Sequence, residues 1–200
     1  MERGVYPPSG ATVRLPMRPP RLLLSLLVLL LLAAAPERPA VTGVTAALDG
    51  HEVRVSFRLE RAFDDAVRAR LEAGLPTGFT YEIELLRDRK RWWDAGLEET
   101  NLEIVAMYNA LSREYLVNVK RDGRLIESRT VREPAELERA MTEVGGLAAF
   151  TVPEGIGARQ RLLVRVRAVL GTRTWLGFIP TERETAWAVS RKFRLPAEAP

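Results

Sequence analysis

Cysteine is absent from the 200 residues, and histidine occurs once, as His51. The first absence excludes disulfides, iron–sulfur clusters, thiolate zinc sites and cysteine nucleophiles. The second excludes multi-histidine metal sites within one chain. A Ser–His–Asp hydrolase would have to use His51, which follows Asp49-Gly50 in an expected hairpin turn. No Gly-x-Ser-x-Gly elbow accompanies it. A glycine-rich phosphate loop after a strand is lacking too, as is any repeat of 20–50 residues. These absences lead to the expectation of no catalytic residue, no metal and no cofactor. Two carboxylates brought together by the fold are all that glycoside cleavage needs, so a hydrolase acting on cell-wall glycan stands as the alternative.

What is present is close to globular averages, 46% hydrophobic and 28% charged. The net charge of +4 hints at nucleic acid, but the hint fails on inspection. Residues 1–40 carry five arginines and two glutamates, so the remaining 160 residues hold 25 basic and 24 acidic side chains. The basicity therefore belongs mainly to the N-terminal stretch, and no nucleic-acid partner is expected. That stretch reads as an export segment. Arg18 and Arg21 precede a 14-residue, almost wholly apolar run from Leu22 to Ala35, and Pro36 follows. A basic flank, a short apolar run and a small-residue exit make a secretory signal, and a spanning helix usually needs about 20 residues. Pro36 would block a cut after Ala35, so an uncleaved anchor contacting the membrane through residues 22–35 stays open. Met17 is a second candidate start. An extracytoplasmic, periplasmic location is expected for everything after residue 40.

From residue 41 to 196 a single domain is expected, built mostly of strands. Val53, Val55, Phe57 and Leu59 alternate with polar residues, the pattern of a half-buried antiparallel strand. Val41 to Leu48 is its expected hairpin partner through Asp49-Gly50. Further strands are expected over 80–85, 102–111, 114–119, 125–131, 161–170 and 185–193. A helix capped by Asp64 or Asp65 should bury Phe63, Ala66, Val67 and Leu71 and stop at Gly74. A second, from Glu133 to Val144, should bury Leu137, Ala140, Met141 and Val144 and end at Gly145-Gly146. About eight strands and two short helices imply a mainly β (α+β) fold, an antiparallel β-sandwich, immunoglobulin-like in general architecture.

Three stretches are candidates for interaction. Arg87, Arg89, Arg91, Trp92 and Trp93 place cations beside tryptophans, a combination suited to an anionic surface or a glycan. The competing reading is a charged turn with one tryptophan in the core. Arg161, Arg165 and Arg167 share one strand face and are expected to pair with acids on the neighbouring strand. Tyr108 and Tyr115 flank a tight turn containing Arg113 and are expected to stack across it.

Taken together, Arg91-Trp92-Trp93-Asp94, the run Tyr108-Asn109-Ala110-Leu111-Ser112-Arg113-Glu114-Tyr115-Leu116-Val117 and the late Trp187-Ala188-Val189-Ser190 resemble the bacterial exported domain of unknown function DUF4390 over roughly residues 41–195. The resemblance implies an exported envelope protein. It supplies no catalytic residues. It also implies a link to a membrane sensor kinase, because some members are encoded beside one. The expected function is thus a non-catalytic sandwich that binds a protein or envelope component. Its candidate surface comprises Arg87, Arg89, Arg91, Trp92, Trp93, Tyr108, Arg113 and Tyr115.

Overall fold

The computed structural model describes residues 38–89, 94–152, 155–157, 159–175 and 179–195. The export segment expected at 22–35 and both candidate starts lie outside the described residues. No helix among the described residues is long and apolar enough to cross a membrane.

The alternating run forms strand β2 (Glu52–Glu60), with Val53, Val55, Phe57 and Leu59 buried. Strand β1 (Ala40–Asp49) pairs with it antiparallel, closing at Asp49 opposite Glu52. Gly50 takes a φ of +61° in that turn, a conformation that glycine adopts without a steric penalty. His51 is exposed beside it, as expected of a turn residue. Strand β7 (Glu143–Thr151) lies on the other side of β2 and completes a three-stranded sheet in the order β1-β2-β7.

The second sheet is larger. Its strands are β3 (Thr77–Arg87), β4 (Ala95–Asn109), β5 (Glu114–Arg121), β6 (Arg124–Val131), β8 (Arg161–Trp175), β9 (Ile179–Glu184), β10 (Ala188–Val189) and β11 (Phe193–Arg194). The order is β10-β8-β3-β4-β5-β6, with β9 and β11 also on β8. The inner residues of β2 form one core with Tyr81, Ile83 and Leu85 of β3, Leu102 and Ile104 of β4, and Val164 and Val166 of β8. Phe57 and Tyr81 meet within it, ring centroids 4.9 Å apart and tilted by 56°. The fold is therefore the mainly β, antiparallel sandwich with two helices that the strand patterns predict. The immunoglobulin-like comparison is not confirmed, since β3 to β6 form an uninterrupted meander.

Helix α1 (Asp65–Glu72) starts as expected, with the Asp64 side chain accepting from the Val67 N–H at 2.9 Å. Its buried stripe is narrower than expected. Leu71 is buried, Val67 half-buried and Ala66 exposed, while Phe63 is buried just ahead of the helix. The helix packs on the ends of β3 and β4, so little more than one turn is enclosed. Helix α2 (Pro134–Thr142) buries Leu137, Ala140 and Met141. Arg68 of α1 reaches Glu138 of α2 at 3.4 Å.

Two expectations need correction. The second helix does not run to Val144 and stop at Gly145-Gly146. Glu143 is already extended (φ −112°, ψ 123°), and the chain passes from helix to β7 without a loop. Pairing of Phe57 with Val144 and Arg58 with Glu143 outcompetes another helical turn. The last strand is not continuous either. The chain returns along β8 as β9, β10 and β11, and between them hydroxyls replace ladder bonds. Thr185 Oγ1 accepts from the Ala168 N–H at 3.0 Å and Ser190 Oγ from the Val164 N–H at 2.9 Å. Side-chain oxygens thus satisfy buried donors where the register breaks.

The β5–β6 turn is tied back to β4. Asp122 sits at φ +49° and accepts from Thr100 Oγ1 and the Asn101 N–H, both at 2.8 Å. Asp122→Ala loses both bonds and puts alanine in a left-handed conformation. A loss of about 2 kcal/mol is expected. Asp122→Asn, which keeps one acceptor and tolerates that conformation, should recover about half, read as the urea midpoint at constant slope.

Candidate functional site

Among the described candidate residues, Arg87 and Arg89 lie apart from Tyr108, Arg113 and Tyr115. Arg87 lies at one end of β4's partner strand, opposite Ala95, and Tyr108 lies at the other end of β4, opposite Tyr115. The length of β4 separates Arg87 from Tyr108, roughly 45 Å at the rise of an extended strand. Arg87 is half-buried and Arg89 exposed, with the Arg89 N–H donating to Asp94 Oδ1 at 3.3 Å. Arg91, Trp92 and Trp93 lie outside the described residues. Asp88 is nearly enclosed and carries Arg161 at 3.0 Å and Lys192 at 2.9 Å, which fixes charge at this end.

The arginine row on β8 is paired, as the spacing predicts. Arg165 meets Glu84 at 2.7 Å and Arg167 meets Glu82 at 2.6 Å, both acids being cross-strand neighbours on β3. Arg167 also reaches Glu184 at 2.7 Å. The hydrogen bond that Arg167 Nε donates to Glu82 Oε2 is the main reason its guanidinium is held above the ordinary value. Trp187 lies against this pair, with the Arg165 and Arg167 guanidinium carbons 4.4 and 4.7 Å from its ring centroids. Sequence reasoning placed Trp187 only in a strand and missed this contact, because the return of the chain along β8 has no local signal. Glu84 is also the register partner of Glu99 on β4. These two acids line small cavities of about 180 and 250 Å³, and Glu84 is already engaged by Arg165.

A groove of about 820 Å³ runs over β2, β7, α2 and β6. Its charged lining balances, with Arg58, Arg129 and Arg139 against Glu60, Glu136 and Glu143, and Arg58 is paired with Glu143 at 3.1 Å. Such a lining favours neither a cationic nor an anionic ligand.

The β4–β5 hairpin end is different in kind. Tyr108 and Tyr115 are register partners with ring centroids 4.9 Å apart and tilted by 47°. Burial chiefly, then the charges of Glu72 and Tyr108, raise the Tyr115 phenol above its ordinary value. Next to them, Met107 and Leu116 pair and are exposed. The turn itself is ordered by Asn109. Its side-chain oxygen accepts from the Leu111 N–H at 3.0 Å, and its carbonyl accepts from the Arg113 N–H at 2.8 Å. Arg113 takes a φ of +57°, and Leu111 is left 97% exposed at the tip. Met107, Leu111 and Leu116 were missed as site residues. An apolar residue inside a turn was the available signal for Leu111.

No curated protein matches the chain, and no solved structure does. The family model described as domain of unknown function (DUF4390) matches residues 37–174, from just before β1 almost to the end of β8. The chain belongs to the DUF4390 family.

Proposed function

We propose that the protein is an exported, non-catalytic envelope component whose sandwich binds a protein partner through the β4–β5 hairpin end. The observation that carries this is Leu111, 97% exposed on a turn whose backbone Asn109 holds in place. A leucine presented on a rigid turn costs water contact and returns no folding energy, whereas a partner surface covers it. The surroundings suit such an interface. Tyr108, Tyr115 and Arg113 are of the residue types enriched where proteins meet, and Met107 and Leu116 extend the apolar area. The basic run before residues 22–35 supports export, and membrane contact by an uncleaved anchor would hold the sandwich near a membrane sensor kinase. Glycan hydrolysis is the weaker reading, because of the facing acids Glu84 and Glu99 the first is already ion-paired with Arg165.

The test is a photo-crosslinking residue at Leu111 in the full chain in envelope membranes. A discrete adduct with another protein is expected, lost when Met107 and Leu116 are changed to aspartate. Leu111→Asp alone should leave thermal stability within about 0.5 kcal/mol of the parent, since the side chain packs on nothing. An adduct no stronger than that from Glu98, exposed at the far end of β4, would overturn the proposal.

A further inference from the structure

A cavity of about 510 Å³ opens between helix α1, the start of β3 and the middle of β8. That volume suits a small organic ligand. Ala62, Val67, Phe79 and Leu170 supply its apolar side. Arg70, in the last turn of α1, and Arg183 of β9 line it as well. A break in the strand pairing brings Arg183 there. Val169 pairs with Glu184 and Thr172 with Glu182, so Leu170 and Gly171 of β8 together oppose Arg183. Such a bulge bends the strand and re-aims the side chains around it. Gly171 takes a φ of +97° in the bulge, and a Cβ there would meet nothing within 4 Å, so the cavity stays open on this side.

We infer that this cavity binds an amphiphilic anion, a carboxylate or phosphate head carried on a short apolar body. The inference is independent of the hairpin-end proposal. Charge argues for the head. The two arginines share the lining with one acid, Asp64, whose Oδ1 is engaged by the Val67 N–H at the start of α1. Neither arginine is in an ion pair among the described residues, and Arg70 Nε reaches only Thr77 Oγ1, at 3.5 Å. Two guanidinium forks at one cavity, with N–H groups to spare, match the oxygens of a carboxylate or phosphate. The 820 Å³ groove differs on this point, since its three arginines meet three glutamates. The walls argue for the body. Val67 and Leu170 are only half-buried, and a ring or short chain laid on them removes the rest of their apolar surface from water. A bare inorganic anion would leave that surface wet.

Phenyl phosphate is the probe, titrated calorimetrically into the full chain, which is held in nanodiscs of neutral phosphatidylcholine on account of residues 22–35. One saturable site is expected. It should bind phenyl phosphate more tightly than inorganic phosphate, which has the head alone, and than benzyl alcohol, which has the body alone. Arg70→Gln and Arg183→Gln should each weaken phenyl phosphate by about tenfold or more, the usual loss for a hydrogen bond to a charged group. Arg70→Lys keeps the charge without the fork and should weaken it less than Arg70→Gln. Ala66 is exposed on α1 and lines the cavity. Ala66→Leu, a good helix former, should fill the space and abolish binding while leaving the thermal midpoint unchanged. Short-chain phosphatidylglycerol distinguishes the sources of such a head. Displacement of phenyl phosphate by it assigns the site to a lipid headgroup, and failure to displace assigns it to a dissolved ligand. Absence of saturable binding, or binding that both glutamine variants retain, overturns the inference. Inorganic phosphate or benzyl alcohol binding as tightly as phenyl phosphate overturns it too, because the cavity then reads only one half of the ligand.

Discussion

Replacing Tyr81 with alanine is expected to remove about 4–5 kcal/mol of folding stability. Tyr81 is fully enclosed between the sheets. It is the largest side chain in the core, and it packs its ring on Phe57. Its hydroxyl donates to the Met141 carbonyl at 2.7 Å, tying β3 to the last turn of α2. Alanine leaves a ring-sized void and an unpaired carbonyl, and a domain of this size has only about 5–15 kcal/mol in total. Tyr81→Phe separates the two parts. It keeps the packing and should lose only about 1–2 kcal/mol. The same pair of proteins reports on pH. Burial raises the Tyr81 phenol far above its ordinary value. A group raised in the folded state gives its full stability below the unfolded value, near pH 10, and loses it as pH climbs towards the folded value. Between pH 8 and pH 11 the parent should lose about 1.4 kcal/mol more than Tyr81→Phe, measured by urea unfolding at each pH. Equal losses in the two proteins would mean that Tyr81 ionises as easily folded as unfolded.

Much of this fold is legible where a residue's neighbours in sequence decide its fate. The alternation of Val53 to Leu59 and the turns at Asp49-Gly50 and Asp122-Gly123 depend on local sterics and one buried face. The pairing of Arg165 with Glu84 and Arg167 with Glu82 was legible in kind, as a charged strand face seeking acids. Strand β7 was not legible. Its sequence begins Glu143-Val144-Gly145-Gly146, and two glycines after a helical pattern ordinarily end a helix. Here they are strand residues, held by pairing with β2, and the Gly146 N–H donates to Ser56 Oγ at 2.8 Å. The early part of β4, from Ala95 to Asn101, was hidden for the same reason. Its residues lack a sustained alternation of their own, and β3 supplies the register. For the candidate site, the Tyr108–Tyr115 stack followed from the spacing across the turn. That Arg87 and Tyr108 lie at opposite ends of β4 did not, because distance along a folded strand is set by which residues pair.

Gly78 carries the second large effect, and here the cause is backbone proximity. Gly78 is the register partner of Val105, where β3 and β4 approach closely. A Cβ on Gly78 would run into the Ile104 carbonyl and the Val105 side chain and Cα. Of these only the side chain can turn away, so the two strands must part. Gly78→Ala should therefore cost about 2–3 kcal/mol, the usual penalty for forcing extra volume into a packed region. Gly96 gives the comparison. It lies on the paired strand β4, is not among the positive-φ glycines, and a Cβ there meets nothing within 4 Å. Gly96→Ala should stay within about 0.5 kcal/mol of the parent. The damage at Gly78 should also travel. Val105 is two residues from Met107 and three from Tyr108, so a displaced β4 shifts the hairpin end that carries Leu111. In protein that remains folded, Gly78→Ala should weaken the photo-crosslink from Leu111, and Gly96→Ala should leave it intact. If the two glycines respond alike in stability, close approach is not the reason for glycine at position 78. If stability separates them and the crosslink does not, the hairpin end is held by Asn109 and the tyrosine pair without help from β3.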